Sequence, residues 1–257
     1  MKSTSLGFIG GGRITRIILQ ALANKQSELP SVLVCDTSPD VLKALRSLFP
    51  KIQITDSCEV TARQDIVFIA LHPPVIMETL EQIKASVSDK TQVISLAPKI
   101  TIEKMALKLA TKNIARMIPN ATSYINEGYN PVSFSPGYSS GEKQALLEIL
   151  TTAGKTFEVE ESKLEAYAMV SAMLPTYFWF QWKEIQNLGL QMGLNELESQ
   201  EAVHQTLLAA IDLFFNPELN YKEVVDLIPV KPIGEHETQI AEIYRSKLMG
   251  LFHKITP

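Results

Sequence analysis

The sequence predicts an α/β chain: an N-terminal domain with a doubly wound parallel sheet, followed by an all-helical domain. Three observations predict it. Across residues 1–160, short β-branched apolar runs alternate with stretches of helical periodicity. The first such run ends in Gly10-Gly11-Gly12, directly before a helical stretch. From residue 161 to 257 the strand signals stop and only helical patterning remains.

The elements follow in order. LGFIG (6–10) reads as a strand, and 13–24 as a helix with Ile14, Ile17, Ile18, Ala21 and Leu22 on its apolar face. SVLVCD (31–36) is the next strand, and 38–48 is a helix with Pro39 in its first turn. KIQIT (51–55) is a short strand. DIVFIA (65–70) is a near-continuous apolar run, as expected of a strand covered on both faces. Helix 73–87, strand 92–97, helix 101–111 and strand 113–118 continue the alternation, with 132–135, 141–153 and 155–160 as strand, helix and strand. The second domain reads as helices over 163–192, 196–215, 219–228 and 235–254.

Composition excludes several classes. Against 24 Lys and Arg stand 28 Asp and Glu, a net charge of -4, and no basic run exists to attract nucleic-acid phosphates. Two cysteines, Cys35 and Cys58, make no disulfide framework and read as reduced thiols. The apolar run 6–9 is too short for a signal peptide and runs into glycines. The longest apolar stretch, 166–182, contains Ser171, Pro175, Thr176 and Gln181 and reads as a core helix, not a membrane span. A cytoplasmic protein without membrane or nucleic-acid partners is expected. His72, His204, His236 and His253 have no metal-site spacing, so no metal is expected.

The glycine run carries the chemistry. A tight turn needs residues without a Cβ, and a pyrophosphate can approach the backbone closely only over glycine. The next helix then offers free N–H groups and its positive dipole end. Gly10, Gly11 and Gly12, with Arg13 and Ile14 at the helix start, are therefore the expected phosphate-binding residues of a Rossmann domain. Thr15 stands where the third glycine of the pattern belongs, and the bland alternative is an ordinary glycine-rich turn. Asp36, ending the second strand, is placed to bond adenosine ribose hydroxyls, which favours NAD; Arg13 and Lys43 could offset its charge for NADP. A simple turn residue in DTSPD is the other reading of Asp36.

Six segments in order, GFIGGGRIT, FIALHPP, SLAPKITIEKM, RMIPNATSYINEG, SAMLPTYFWF and LLAAIDLFFNPEL, resemble the pyrroline-5-carboxylate reductase family from about residue 5 to 220. The resemblance implies a Rossmann domain with a helical dimerisation domain, and NAD(P)H-dependent reduction of a cyclic imine to proline. By matching position, Gly10 and Gly12 would bind the pyrophosphate of NADP or NAD, with Asp36 and Thr37 at the ribose. Ala70, His72 and Pro73 would line the cofactor groove, His72 replacing a family lysine, and Asn120 would lie at the nicotinamide end. Ser171, Pro175 and Tyr177 match the family's Ser-Gly-Ser-Gly-Pro-Ala-Tyr segment.

Two departures fall on the substrate side. The matching segment here has Ala172, Met173 and Leu174 before Pro175, a bulkier and drier wall. The family's Ser-Pro-Gly-Gly-Thr-Thr loop, which holds the substrate, is replaced by IPVKPIGEHETQ (228–239), where only Pro232, Gly234 and Thr238 resemble it. Lys231 is the cation in that loop and the candidate replacement anchor for a small-molecule substrate carboxylate.

Hydride transfer to an imine requires positioning and a protonated imine rather than a strong side-chain acid. Ser171 or Thr238 could polarise the imine nitrogen as the catalytic hydroxyl, against the bland readings of a helix residue bonded to its own backbone and a surface residue. Lys183 and Asn187 have the spacing used by β-hydroxyacid dehydrogenases, but the glycine-lined segment that precedes it there is missing, so Lys183 reads as solvated. Trp179, Phe180, Trp182, Leu213, Phe214 and Phe215 give the helical half more apolar surface than a small domain can hide, so a homodimer through these helices is expected. The alternatives are a reductase of a different imine or carbonyl, and a non-catalytic dinucleotide-binding relative.

Overall fold

The computed structural model describes residues 4–25, 31–216 and 218–257. The chain forms two units, one running to Ala172 and including Phe252–Pro257, the other Met173–Leu251.

The first unit is built on an eight-stranded sheet. Its strands are β1 (Leu6–Ile9), β2 (Val32–Cys35), β3 (Gln53–Thr55), β4 (Ile66–Ile69), β5 (Gln92–Ser95), β6 (Ile114–Met117), β7 (Gly128–Phe134) and β8 (Gly154–Glu158). Their order is β3-β2-β1-β4-β5-β6-β7-β8. The first six are parallel, β7 runs antiparallel to β6, and β8 is parallel to β7. The order reverses between β1 and β4, which opens a crevice at the carboxyl ends of these strands, where α/β sheets bind ligands.

Strands β1, β2, β4, β5 and β6 are buried at every residue, which explains their unbroken apolar runs. Alternate side chains enter two cores. Phe8 joins Ile18, Leu19, Leu45 and Phe68 on one face; Ile9 joins Ile69, Ile76, Leu80 and Met105 on the other. Phe8 and Phe68 stack at a centroid distance of 4.7 Å. The covering helices are α1 (Arg13–Asn24), α2 (Pro39–Leu48), α3 (Cys58–Thr61), α4 (Pro73–Ile83), α5 (Ile102–Ala106), α6 (Ser140–Leu150) and α7 (Leu164–Tyr167). Ser38 caps α2 by accepting the Val41 N–H, and Pro39 supplies its first turn, as the sequence predicts.

Several boundaries differ from the sequence reading. The helix expected over 101–111 ends at Ala106, that over 73–87 ends at Ile83, and β7 begins four residues earlier than 132, at Gly128. The long helix expected over 163–192 is broken. α7 gives way to a π-helical segment, Ala168–Ala172, and α8 (Leu174–Gln191) starts afresh with Pro175 in its first turn. A proline lacks the N–H that continuation needs and clashes with the preceding turn.

The division between units also falls at Ala172, not near 160. The reason is packing. Leu164 and Ala168 are buried with Ile118, and Arg116 on β6, itself fully buried, pairs with Glu161 at 2.9 Å and with the buried Glu165. Residues 161–172 thereby complete the sheet domain.

The second unit holds α8, α9 (Glu196–Phe214), α10 (Tyr221–Asp226) and most of α11 (Glu237–Ile255). Asn195 and Asn220 each start a helix with a reciprocal capping box, to Glu198 and Glu223. Among its described residues only Ser199 is buried, donating to the Gln186 carbonyl at 2.8 Å. Among the described residues of the whole chain, no helix is long and apolar enough to cross a membrane.

The buried ion pair generates a stability prediction. Removing one partner of a buried ion pair costs about 3–5 kcal/mol, and after loss of Glu165 the buried guanidinium keeps only the partly exposed Glu161. Glu165→Ala is therefore expected to lower the unfolding free energy by about that amount. Urea denaturation against wild type measures it, and a change below about 1 kcal/mol, the scale of an exposed pair, would contradict it.

Candidate cofactor and substrate site

The loop after β1 is built around Gly10. Its φ is +102°, a conformation L side chains rarely adopt, and an added Cβ would lie 2.5 Å from the Ala70 carbonyl oxygen. The chain can leave β1 against the end of β4 only there. Thr15, the residue in the third-glycine position, is fully buried, and its hydroxyl donates to the Gly10 carbonyl at 2.5 Å. The departure from the glycine pattern thus substitutes a hydrogen bond that braces the same turn.

Gly12 is the N-cap of α1, and no atom lies within 4 Å of the position its Cβ would take. The first turn of α1 carries no acidic residue of its own to compete for its positive end. Arg13 is exposed and Ile14 partly buried. A glycine loop with open space over Gly12 and a helix start without an acidic residue of its own fits a dinucleotide pyrophosphate.

Asp36 follows β2 directly. One carboxylate oxygen accepts the Gly11 N–H at 2.7 Å and the other the Ser38 N–H at 2.8 Å. The carboxylate therefore ties the glycine loop to the β2–α2 turn while each oxygen keeps a lone pair free for a further donor. Thr37 beside it is exposed. Ala70 ends the β4 run and donates its N–H to the Ile9 carbonyl at 2.8 Å. His72 is the exposed N-cap of α4 and makes no side-chain cap bond, and Pro73 is that helix's first residue.

Asn120 is buried, and its side chain is fully engaged. Its Oδ1 accepts from the Thr122 N–H and hydroxyl at 3.0 and 2.8 Å, capping a 3-10 turn over Ala121–Ile125. Its Nδ2 donates to the Ser171 carbonyl and Oγ, both at 3.2 Å. Ser171 lies in the π-helical segment and is partly exposed, with its hydroxyl 3.4 Å from the Tyr129 carbonyl. The first unit thus brings Gly10–Gly12, Asp36, Ala70 and His72 to the carboxyl edge of the sheet, with Asn120 holding Ser171 beyond β6.

The remaining predicted residues belong to the second unit. Pro175 opens α8. Tyr177 packs edge-on to Tyr244 at 6.0 Å and lines a cavity of about 570 Å³ with Thr176, Phe180, Gln181 and Ile240. Burial, and then Tyr244, push its phenol pKa upward. Lys231 and Thr238 are both exposed, Lys231 in the turn closed by its carbonyl and the Gly234 N–H at 3.0 Å.

Sequence reasoning passed over Lys99. It is exposed, with φ of 77°, in the turn between β5 and α5, and its N–H is held by Glu165 at 3.1 Å. A Pro-Lys pair between a strand and a helix was the available signal. The Arg116 network was also missed, because its partners lie 45 and 49 residues away.

A family model described as NADP oxidoreductase coenzyme F420-dependent matches residues 5–99, the part that holds the glycine loop, Asp36 and His72. The pyrroline-5-carboxylate reductase of Corynebacterium melassecola is 22% identical, covering 98% of this chain and 94% of its own. A solved pyrroline-5-carboxylate reductase from Coxiella burnetii matches with a TM-score of 0.70 at 26% identity, over 99% of this chain and 95% of that one. The Plasmodium falciparum pyrroline carboxylate reductase, solved with NADP bound, gives a TM-score of 0.76 at 20% identity over 99% and 95%. Over nearly its whole length the chain is similar to the pyrroline-5-carboxylate reductases. It shares the reductase fold of a Rossmann-like domain followed by a helical region, and the identity of 20–26% marks it as a divergent relative.

The two outer glycines separate binding from folding. Gly12→Val fills open space, so fold stability should change by no more than about 1 kcal/mol, the worth of an N-cap. Dinucleotide binding should weaken at least tenfold, about 1.4 kcal/mol. Gly10→Ala should instead lower the melting temperature, because its Cβ meets the Ala70 carbonyl. Calorimetric titration with each dinucleotide and thermal melts of both variants measure this. Unchanged affinity in a folded Gly12→Val would refute the assignment.

Proposed function

We propose that the chain is an NAD(P)H-dependent reductase of the C=N bond of a small cyclic imine, working in the cytoplasm as a homodimer. The cofactor half rests on one observation: a strand–glycine–helix turn whose Gly11 N–H is bonded to the acid that ends β2. The substrate half rests on similarity to pyrroline-5-carboxylate reductases along the whole chain.

The bound nicotinamide supplies the hydride. The chain's own residues hold and orient. The Gly12 N–H and the start of α1, with Arg13 and Ile14, carry the pyrophosphate over the Gly10–Gly11 turn, whose own N–H groups are held by Cys35 and Asp36. Asp36 and Thr37 take the adenosine ribose, and Ala70, His72 and Pro73 line the groove. Asn120 acts as a positioning residue, because its amide is spent on Ser171 and on its own turn. Ser171 then presents a hydroxyl whose oxygen accepts the Asn120 amide at 3.2 Å and whose proton, given to the Tyr129 carbonyl only at 3.4 Å, can turn to the imine nitrogen. Thr238 is the second candidate for that role. Pro175 and Tyr177 form part of the substrate wall, drier than in the resembled family because Met173 and Leu174 replace small residues. Lys231 takes the place of backbone amides as anchor for a substrate carboxylate, since an unpaired buried anion would cost several kcal/mol.

Three outcomes test this reading. Loss of NADH or NADPH absorbance is followed with a panel of cyclic imines. Turnover is expected, with pyrroline-5-carboxylate a weak substrate and Lys231→Ala weaker still. Dinucleotide binding with no turnover on any imine would favour a non-catalytic relative. A kcat/KM on pyrroline-5-carboxylate of roughly 10⁵ M⁻¹s⁻¹ or more, typical of an enzyme on its own substrate, would show that the changed loop is inconsequential.

Asp36 sets cofactor choice in this reading, because its charge repels a 2′-phosphate. Asp36→Asn keeps an acceptor for the loop and removes the charge, and should narrow the preference for NADH over NADPH about tenfold or more. The ratio of kcat/KM values measures it. For the assembly, solution scattering at micromolar concentration should give the mass of two chains.

A further inference from the structure

Cys35 and Cys58 are both free thiols, and neither is needed by the proposed chemistry. Cys35 is the last residue of β2 and is fully buried; Cys58 opens α3 and is partly exposed. The Cys35 thiol donates to the Cys58 sulfur at 3.0 Å, inside van der Waals contact of two sulfurs. That hydrogen bond, first, holds the Cys58 thiol below its usual range; the same contact, then burial, push Cys35 up. The pair therefore consists of an accessible nucleophile and a protonated partner behind it.

Their place gives the pair a consequence. The Cys35 carbonyl accepts the Gly10 N–H at 2.8 Å, and the next residue, Asp36, holds the Gly11 N–H. The sulfurs thus lie directly under the glycine loop. We propose that Cys35 and Cys58 form a reversible dithiol–disulfide site, oxidised by a peroxide, that lowers the affinity of the glycine loop for its dinucleotide. The coupling rests on the reading of that loop as the cofactor site; the disulfide does not.

The chemistry balances. The Cys58 thiolate attacks one peroxide oxygen, the O–O bond breaks, and the other oxygen leaves as hydroxide, giving a sulfenic acid. The Cys35 sulfur then attacks the sulfenyl sulfur; an S–S bond forms, the S–O bond breaks, and the departing hydroxide takes up the Cys35 proton as water. Two thiols and one hydrogen peroxide become one disulfide and two waters. Closing from 3.0 Å to a disulfide bond of about 2.05 Å brings the two sulfurs about 1 Å closer. The part of that shift taken up by Cys35 is passed to the loop, because its carbonyl holds the Gly10 N–H and the next residue, Asp36, holds the Gly11 N–H. A displacement of that size in a binding constellation costs on the order of tenfold or more.

The test uses the full chain, reduced and then treated with hydrogen peroxide, with peptides mapped under non-reducing conditions and NADH and NADPH affinities measured by calorimetry. The expected result is a peptide pair linked through Cys35 and Cys58, a Kd raised roughly tenfold or more, and recovery of both thiols and affinity with dithiothreitol. Cys58→Ser should bind like the reduced protein and no longer respond to peroxide. Oxidation of Cys58 to sulfinic acid without a linked peptide, or links only between two chains, would overturn the disulfide. A linked peptide with unchanged affinity would overturn the coupling. If the reduced protein binds neither dinucleotide, the reading of the loop and the coupling both fail, and the peptide map still decides the disulfide.

Discussion

The approach of Gly10 to the Ala70 carbonyl is the constraint on which the candidate site depends. β1 and β4 are neighbours in register, Ile9 opposite Ile69, so the chain leaving β1 must pass over the end of β4 before turning into α1. A residue with a Cβ cannot make that passage at φ +102°. Once it is made, three bonds brace the turn. Thr15 closes on the Gly10 carbonyl, the Cys35 carbonyl takes the Gly10 N–H, and Asp36 takes the Gly11 N–H. The loop is held in shape by the protein alone, and a ligand binding to it would lose little conformational freedom in the protein.

A second constraint organises the far side of the sheet. Arg116 is fully buried on β6, and Glu161 and Glu165 reach it to compensate its charge. Glu165 also takes the Lys99 N–H, and Glu161 the Ile102 N–H at 2.7 Å. Two carboxylates thus fix the β5–α5 turn, β6 and residues 161–165 relative to one another. Ser171 follows six residues after Glu165, through one turn of helix and the π-helical segment, and meets Asn120 there. The position of the candidate catalytic hydroxyl is set by a charge network that does not touch it.

What was legible in the sequence follows the range of the interactions involved. The runs LGFI, VLVC and IVFI carry their own evidence, because full burial on both faces demands an unbroken apolar string. The glycine turn is equally local. So is Ser38 with Pro39, since capping uses residues three apart. Of the break at 168–174 only Pro175 is legible: 166–182 is mostly apolar, and periodicity does not separate a helix from a helix interrupted by a π-turn. Nothing in RMIPNAT reveals that the Asn120 amide bonds Ser171, 51 residues away. Thr15 was read as a defect in the glycine pattern because a side chain bonding back five residues to its own loop is invisible until the loop closes.

The helical unit raises the remaining physical question, which is what stabilises it. Among its described residues only Ser199 is buried, while Phe180, Phe215 and Val230 are about 68%, 74% and 72% exposed. Capping boxes at Asn195 and Asn220 hold helix ends but contribute only about 1 kcal/mol each. Burial of apolar area at about 25 cal/mol per Å² is the larger source, and the unit supplies little of it internally. A second copy related by a two-fold axis offers each such face a partner of the same chemistry. Residues 228–239 lie in this same unit, with Lys231 and Thr238 exposed. In the proposed dimer, then, the groups that would hold substrate are carried by the unit that depends most on its partner. In that proposal a change in 228–239 would act on assembly and on substrate recognition together, whereas the glycine loop, packed into the sheet, would act on cofactor binding alone.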